Sequence, residues 1–219
     1  MIALIADIKS NSSRTLRFVS PLLSIVILLA FISGCVSLPK TELAENNQQQ
    51  RKQLLEAIES WTLTGRLGIK SPDQANSLSF KWQHDANQKL LLFYGTFGNT
   101  YARLSQSKNQ ATLELSDDRV YQSDNVEEML QLVLGYPLPV DHLDYWVRGL
   151  AFPGEKSELT YDALGYLNKI IYKQWTITFK NYQHFKTFDD ISLPGKIKVT
   201  NGEVTLRLSL RKWQLGTDL

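Results

Sequence analysis

The sequence predicts a mainly β protein, a strongly curved antiparallel sheet of ten or eleven strands that forms a partly open barrel with a lid of about three helices. Three observations predict it. From Trp61 onward, apolar residues recur at every second position over many short segments. The chain is rich in residues that favour strands, with five Trp, nine Tyr and nine Phe. Two helical segments lie mid-chain between strands, where they can cover the concave face of a twisted sheet.

Taken in order, Gln48 to Ser60 carries Leu54, Leu55 and Ile58 at helical spacing and reads as a lead-in helix. Trp61, Leu63, Gly65, Leu67 and Ile69 then alternate with Thr62, Thr64, Arg66, Gly68 and Lys70, the period of a half-buried strand. Leu78, Phe80 and Trp82 repeat the pattern after the Ser71-Pro72-Asp73 turn. Leu90 to Tyr94 is apolar on both faces. Gly95-Thr96-Phe97-Gly98-Asn99 interrupts it, and Thr100 to Ser105, Ala111 to Leu115 and Arg119 to Gln122 follow as shorter strands.

Asp124 to Gly135 reads as a helix: Asp124 can cap it, Glu127 completes a D-x-x-E box, and Val126, Met129, Leu130, Val133 and Leu134 supply an apolar face. After Pro137 and Pro139 a second short helix is predicted over Val140 to Val147, presenting Leu143, Trp146 and Val147 and ending at Gly149. Strands resume at Leu159 to Asp162, Tyr166 to Tyr172, Trp175 to Tyr182, Lys196 to Thr200 and Glu203 to Gln214. Asn201-Gly202, between the last two, is the strongest hairpin signal in the chain.

Ahead of this pattern, Arg14 and Arg17 precede a charge-free apolar run from Phe18 that ends in Ile32-Ser33-Gly34-Cys35, and Cys35 is the chain's single cysteine. A basic flank, an apolar core and small residues before the cut are the marks of a bacterial secretion signal. The ISGC tetrapeptide resembles the lipobox of bacterial lipoproteins, in which the cysteine thiol takes a diacylglyceryl group and the new amino terminus is acylated. On this reading residues 1–34 are removed, 35–47 are the lipidated terminus and a tether, and 48–219 form one domain. An uncleaved membrane anchor is the alternative, since Phe18 to Leu38 is 21 residues without a charge; Pro21 and the serines weigh against it.

The formal net charge is +2, and removal of Asp7, Lys9, Arg14 and Arg17 with the leader brings it to about zero, so composition implies no net field to draw in nucleic acid or an acidic bilayer. With Cys35 acylated, no thiol remains for a disulfide, a redox pair or a thiolate metal site. His84, His142 and His184 lack metal-ligand spacing, and neither a G-x-S-x-G elbow, a P-loop nor a G-x-G-x-x-G loop occurs. Asp117-Asp118 and Asp189-Asp190 read as solvated turns. No catalytic residue, metal or cofactor is therefore expected beyond the acyl groups on Cys35. The aromatics fit either a packed core or the wall of a cavity. Phe97, between Gly95 and Gly98, is either folded under the sheet or an exposed apolar tip for a bilayer or a partner's groove. Arg66 and Arg148 are surface charges or hold the lid through backbone carbonyls.

Together these residues resemble the LolB family of outer-membrane lipoprotein receptors. The resemblance rests, in order, on Cys35, W-x-L-x-G-R-L-G at Trp61 to Gly68, F-x-W-Q at Phe80 to Gln83, and the glycine-flanked loop at Gly95 to Gly98. It continues through E-E-M at Glu127 to Met129, Y-P-L-P at Tyr136 to Pro139, Y-W-V-R-G at Tyr145 to Gly149, Gln174-Trp175 and W-Q-L at Trp213 to Leu215. It implies an unclosed barrel of about 11 strands around an apolar cavity, lined here by Leu67, Phe80, Trp82, Leu92 and Tyr94 from strands and Met129, Leu130 and Trp146 from helices. It also implies a monomer, lipid-anchored on the periplasmic face of the outer membrane of a Gram-negative bacterium. Such a receptor takes acylated lipoproteins from the periplasmic carrier LolA and releases them into the inner leaflet of that membrane. Thr96 and Phe97 stand where the family loop has Pro and Leu, which loosens the loop but keeps an apolar tip. Val36, not Asp, follows the cysteine, which directs the protein itself to the outer membrane. A structural or accessory lipoprotein with a filled core, or a carrier of small apolar ligands, is the competing reading. The resemblance also implies chemistry without bond-making: three acyl chains carry about 45 methylenes, and at about 0.8 kcal/mol each their exposure to water costs roughly 30 kcal/mol or more, so cargo must pass from one apolar shelter to another.

Overall fold

The structure is a computed structural model that describes residues 40–95, 97–108, 110–186 and 191–216, with side chains from Asn47 onward. The chain divides into two units, Met1–Lys40 and Thr41–Leu219. The expected signal segment and Cys35 lie outside the described residues. Among the described residues no helix is long and apolar enough to cross a membrane.

Helix α1 spans Lys40–Glu56. It starts inside the expected tether, because Glu, Gln and Lys are good helix formers and continue the helix where no apolar stripe announces it. Six strands follow as a meander: β1 (Trp61–Lys70), β2 (Ala75–His84), β3 (Gln88–Tyr94), β4 (Thr100–Ser107), β5 (Gln110–Leu115) and β6 (Val120–Ser123). Helices α2 (Val126–Leu134) and α3 (Val140–Arg148) come next. The cap of α2 is Asn125 rather than Asp124: its side chain accepts from the backbone N–H groups of Glu127 and Glu128. Gly135, at φ 83°, ends the helix in the left-handed conformation that glycine adopts without strain.

The chain then returns through β7 (Glu158–Tyr161), β8 (Leu167–Tyr172), β9 (Trp175–Lys180), β10 (Gln183–Phe185), β11 (Ile191–Leu193), β12 (Lys196–Thr200) and β13 (Thr205–Leu215). The Asn201-Gly202 turn joins β12 to β13, with Asn201 Oδ1 accepting from the N–H groups of Glu203 and Val204. Eleven strands form one antiparallel, curved sheet in the order β6-β5-β4-β3-β2-β1-β13-β12-β9-β8-β7. Its edges β6 and β7 do not pair, so the barrel stays unclosed. The connection between those two edges carries α2 and α3. Strands β10 and β11 form a separate hairpin, which the sequence does not announce because Ile191, Ser192 and Leu193 are all buried and show no alternation.

The registers divide the interior into two ends. At one end Trp61 packs edge-on against Trp82 and Trp213, with centroids 5.2 and 5.3 Å apart, and stacks on His84 at 5.1 Å. These rings plug the barrel. Gly65 sits at a β-bulge against β13 in this wall. A Cβ there would overlap the carbonyl oxygen of Ser209 and lie 2.8 Å from the Phe80 ring. Gly65→Ala is expected to cost about 1–3 kcal/mol through overpacking, seen as a lowered denaturation midpoint and a displaced Phe80.

Candidate functional site

Toward the other barrel end the inward side chains do not meet. Leu67 and Ile69 on β1, Leu206 and Leu208 on β13, Phe80 on β2 and Phe93 on β3 surround a cavity of about 260 Å³. Trp82 and Leu91 lie deeper in it, and Leu130, Leu134, Tyr136 and Leu143 contribute from α2, α3 and their connection. The lining continues to Gln74, Asn76, Tyr101 and Leu115. These belong to the barrel end from which the 95–99 loop emerges, since Tyr94 lies opposite Ser79 and Leu115 opposite Ala102. In that loop the Gly95 N–H donates to the Asn99 carbonyl at 2.9 Å, and Gly98 has φ 81°. Phe97 is 97% exposed.

Among the residues the sequence assigned to the cavity, Leu67, Phe80, Trp82 and Leu130 line it. Leu92 and Tyr94 do not. The β2–β3 register sets Phe93 opposite Phe80 and Leu91 opposite Trp82, which turns Leu92 outward between Lys81 and Arg103. Because every residue from Leu90 to Tyr94 is apolar, alternation within that strand cannot decide the parity; only its neighbours do. Met129 is buried in the core without lining the space. Trp146, 1% exposed, packs on His142 and Tyr172 in the filled part of the barrel. Leu206 and Leu208 escaped the sequence reading, although their alternation after the Asn201-Gly202 hairpin marks an inward face.

The two arginines also separate. Arg66 is exposed on β1, opposite Ser79 and Ser209. Arg148, at the end of α3, is 5% exposed; Nη1 donates to the carbonyls of Leu55 and Ile58 at 3.3 Å, and Nε to the carbonyl of Asp144 at 3.2 Å. It thereby caps the carbonyl end of α1 from α3, adding to the Ile58 N–H that reaches the Leu55 carbonyl at 3.4 Å. Further along α3, the buried Asp144 carboxylate lies 3.3 Å from Lys89 Nζ and 3.4 Å from His84 Nδ1, and Asp141 accepts from Gln106 at 3.1 Å. Burial lowers the pKa of His84, partly offset by Asp144, which favours its neutral form. Helix α3 is thus tied to β2, β3, β4 and α1. Helix α2 has, outside its own cap, a polar tie through Glu127, whose Oε1 lies 3.6 Å from His142 Nδ1 on α3. No group of three or more His, Cys, Asp or Glu among the described residues could hold a metal ion.

An unclosed antiparallel barrel, covered by helices and partly hollow with an apolar lining, is the class of protein these features define. A solved DUF1329 family protein from Desulfovibrio piger has this fold at a TM-score of 0.51, with 9% identity, over 81% of this chain and 94% of that one. The family model described as outer membrane lipoprotein LolB matches residues 59–213. Outer-membrane lipoprotein LolB of a Marinomonas species is 33% identical over 88% of this chain and 97% of its own length. Its counterpart from Cellvibrio japonicus is 32% identical over 89% and 98%. The chain belongs to the LolB family, whose members act in lipoprotein localisation and are not enzymes.

Proposed function

We propose that this protein accepts acylated lipoproteins from a periplasmic carrier of the LolA kind into its apolar cavity and passes them to the inner leaflet of the outer membrane. It acts as a monomer on the periplasmic face, held by acyl groups on Cys35, with no cofactor. The observation that carries this reading is an apolar cavity whose lining runs to the same barrel end as the exposed Phe97.

The cavity also says what loading requires. The cavity of about 260 Å³ is covered by α2 and α3 and is smaller than a triacyl group of roughly 45 methylenes, so the cover must move. Helix α3 is pinned by Arg148, Asp144 and Asp141, whereas α2 rests on apolar contacts of Val126, Met129 and Leu130 and on Glu127. Helix α2 is the part that swings outward, exchanging its own apolar contacts for those of an acyl chain, so that opening costs little once cargo is present.

A photo-crosslinking amino acid tests this. Placed at Phe80 or Phe93 it captures the acyl chains of lipoprotein handed over by a loaded carrier; placed at Leu92, one residue away and on the outer face, it does not. Equal capture from Leu92, or none from the inner positions, would refute the hollow barrel.

A further inference from the structure

We propose that the convex face of the middle strands is a docking surface for an anionic lipid bilayer, laying the barrel against the membrane with the Phe97 loop at the margin of the contact. The inference rests on the reading above only in placing the protein at a membrane; it is independent of cargo.

The five adjacent strands β9, β12, β13, β1 and β2 contain nine Lys and Arg and no Asp or Glu, while the whole chain carries only +2. The inward positions of these strands are apolar, so the charge faces out: Arg66, Lys180, Lys196, Lys198 and Arg207 are all exposed. The registers place like charges together, with Lys196 directly opposite Lys180 and Lys198 directly opposite Arg207. Among the described residues none of these five cations forms an ion pair within 4 Å. Opposed like charges destabilise a sheet. Folding alone does not account for the arrangement; an external layer of anions does.

Two features favour lipid over protein. The positions between the cations are small and polar, including Thr64, Ser77, Ser79, Thr178 and Ser209. Protein interfaces are depleted in lysine and anchored by large aromatic residues, which this face lacks, whereas a headgroup layer supplies mobile, spread-out negative charge. At about 4.8 Å between strands the face is roughly 20 Å wide, and the screening length of about 10 Å at 0.1 M salt lets neighbouring cations act together. The field ends where Glu114 on β5 stands opposite Arg103. Along one rung, Arg66 lies opposite Ser79 and Ser79 opposite Tyr94, so the 95–99 loop leaves the sheet beside this face.

The test uses the full acylated chain in phosphatidylcholine vesicles with or without phosphatidylglycerol, a fluorophore on Ser209→Cys, and a headgroup-attached quencher. Quenching is expected with phosphatidylglycerol at about 0.1 M salt and is lost at about 1 M, where the screening length falls to about 3 Å. The variant Lys196→Gln, Lys198→Gln, Arg207→Gln is expected to lower the ratio of face-down to face-away protein about a hundredfold, at roughly fivefold per cation. A fluorophore on Leu164→Cys, in the turn between β7 and β8, sets the background, and thermal unfolding checks that the triple variant folds. Equal quenching in both vesicle types, or none lost in the triple variant, overturns the proposal. So does shielding of Ser209→Cys that appears only when an acidic protein carrier is added. Lipoprotein transfer measured in the same samples separates the two readings: transfer without orientation refutes the docking face alone, and orientation without transfer refutes the receptor alone.

Discussion

A Phe97→Glu variant is expected to take lipoprotein from its carrier at the normal rate and to release it into membranes ten- to a hundredfold more slowly. Phe97 is 97% exposed and outside the cavity lining, so its replacement leaves cargo binding and core packing untouched. Its ring gains about 1.5–3 kcal/mol on leaving water, and each 1.4 kcal/mol is tenfold in rate when that contact forms only in the release step. A carboxylate removes this gain and adds repulsion from acidic headgroups. Phe97→Leu should retain most of the activity, because the tip needs apolar area and not a ring. Release into vesicles, measured apart from transfer between carrier and receptor, checks the prediction. If both steps slow together in Phe97→Glu, or neither slows, the loop is only a turn.

Arg148→Met is expected to lower stability by about 1–3 kcal/mol. Methionine fills similar space but leaves the carbonyl of Ile58 without its side-chain donor in the interior, at about 1–3 kcal/mol for an unsatisfied group, and leaves the carbonyl of Leu55 with only the Ile58 N–H at 3.4 Å. Relief of the buried guanidinium charge offsets part of this. Lysine recovers little, since one ammonium on a flexible stem cannot reproduce a planar fork reaching both the end of α1 and the Asp144 carbonyl. Denaturant midpoints measure the loss, and amide exchange locates it: protection should fall first in the last turn of α1 and in α3. Unchanged protection there would mean that α1 is held by Leu55 and Ile58 packing alone.

Some of this was legible from residues by themselves. The strands of the eleven-stranded sheet, the hairpin at Asn201-Gly202, both covering helices and the family all follow from local signals: alternation, turn chemistry, capping and motif order act between residues close in the chain. Other features depend on strands far apart in sequence. The parity of β3 was one, because Leu90 to Tyr94 is apolar throughout and only Phe80 and Trp82 on β2 choose between Leu92 and Phe93. The extent of the cavity was another: the Trp61, Trp82 and Trp213 plug fills one end, while Leu67, Phe93 and Leu208 stay apart at the other. Arg66 and Arg148 look alike in sequence, both flanked by apolar residues, yet one points to solvent and the other is enclosed by α1.

Charge shows the same division. Composition determined a net charge of only +2, and a sum says nothing about place. Pairing β12 between β9 and β13, and β13 beside β1, gathers lysines and arginines from opposite halves of the chain onto one face. Periodicity alone determined that there is an inside and an outside; which residues share each side, and whether the inside is full, was decided by long-range register, because a strand's neighbours and not its own sequence set what lies across from it.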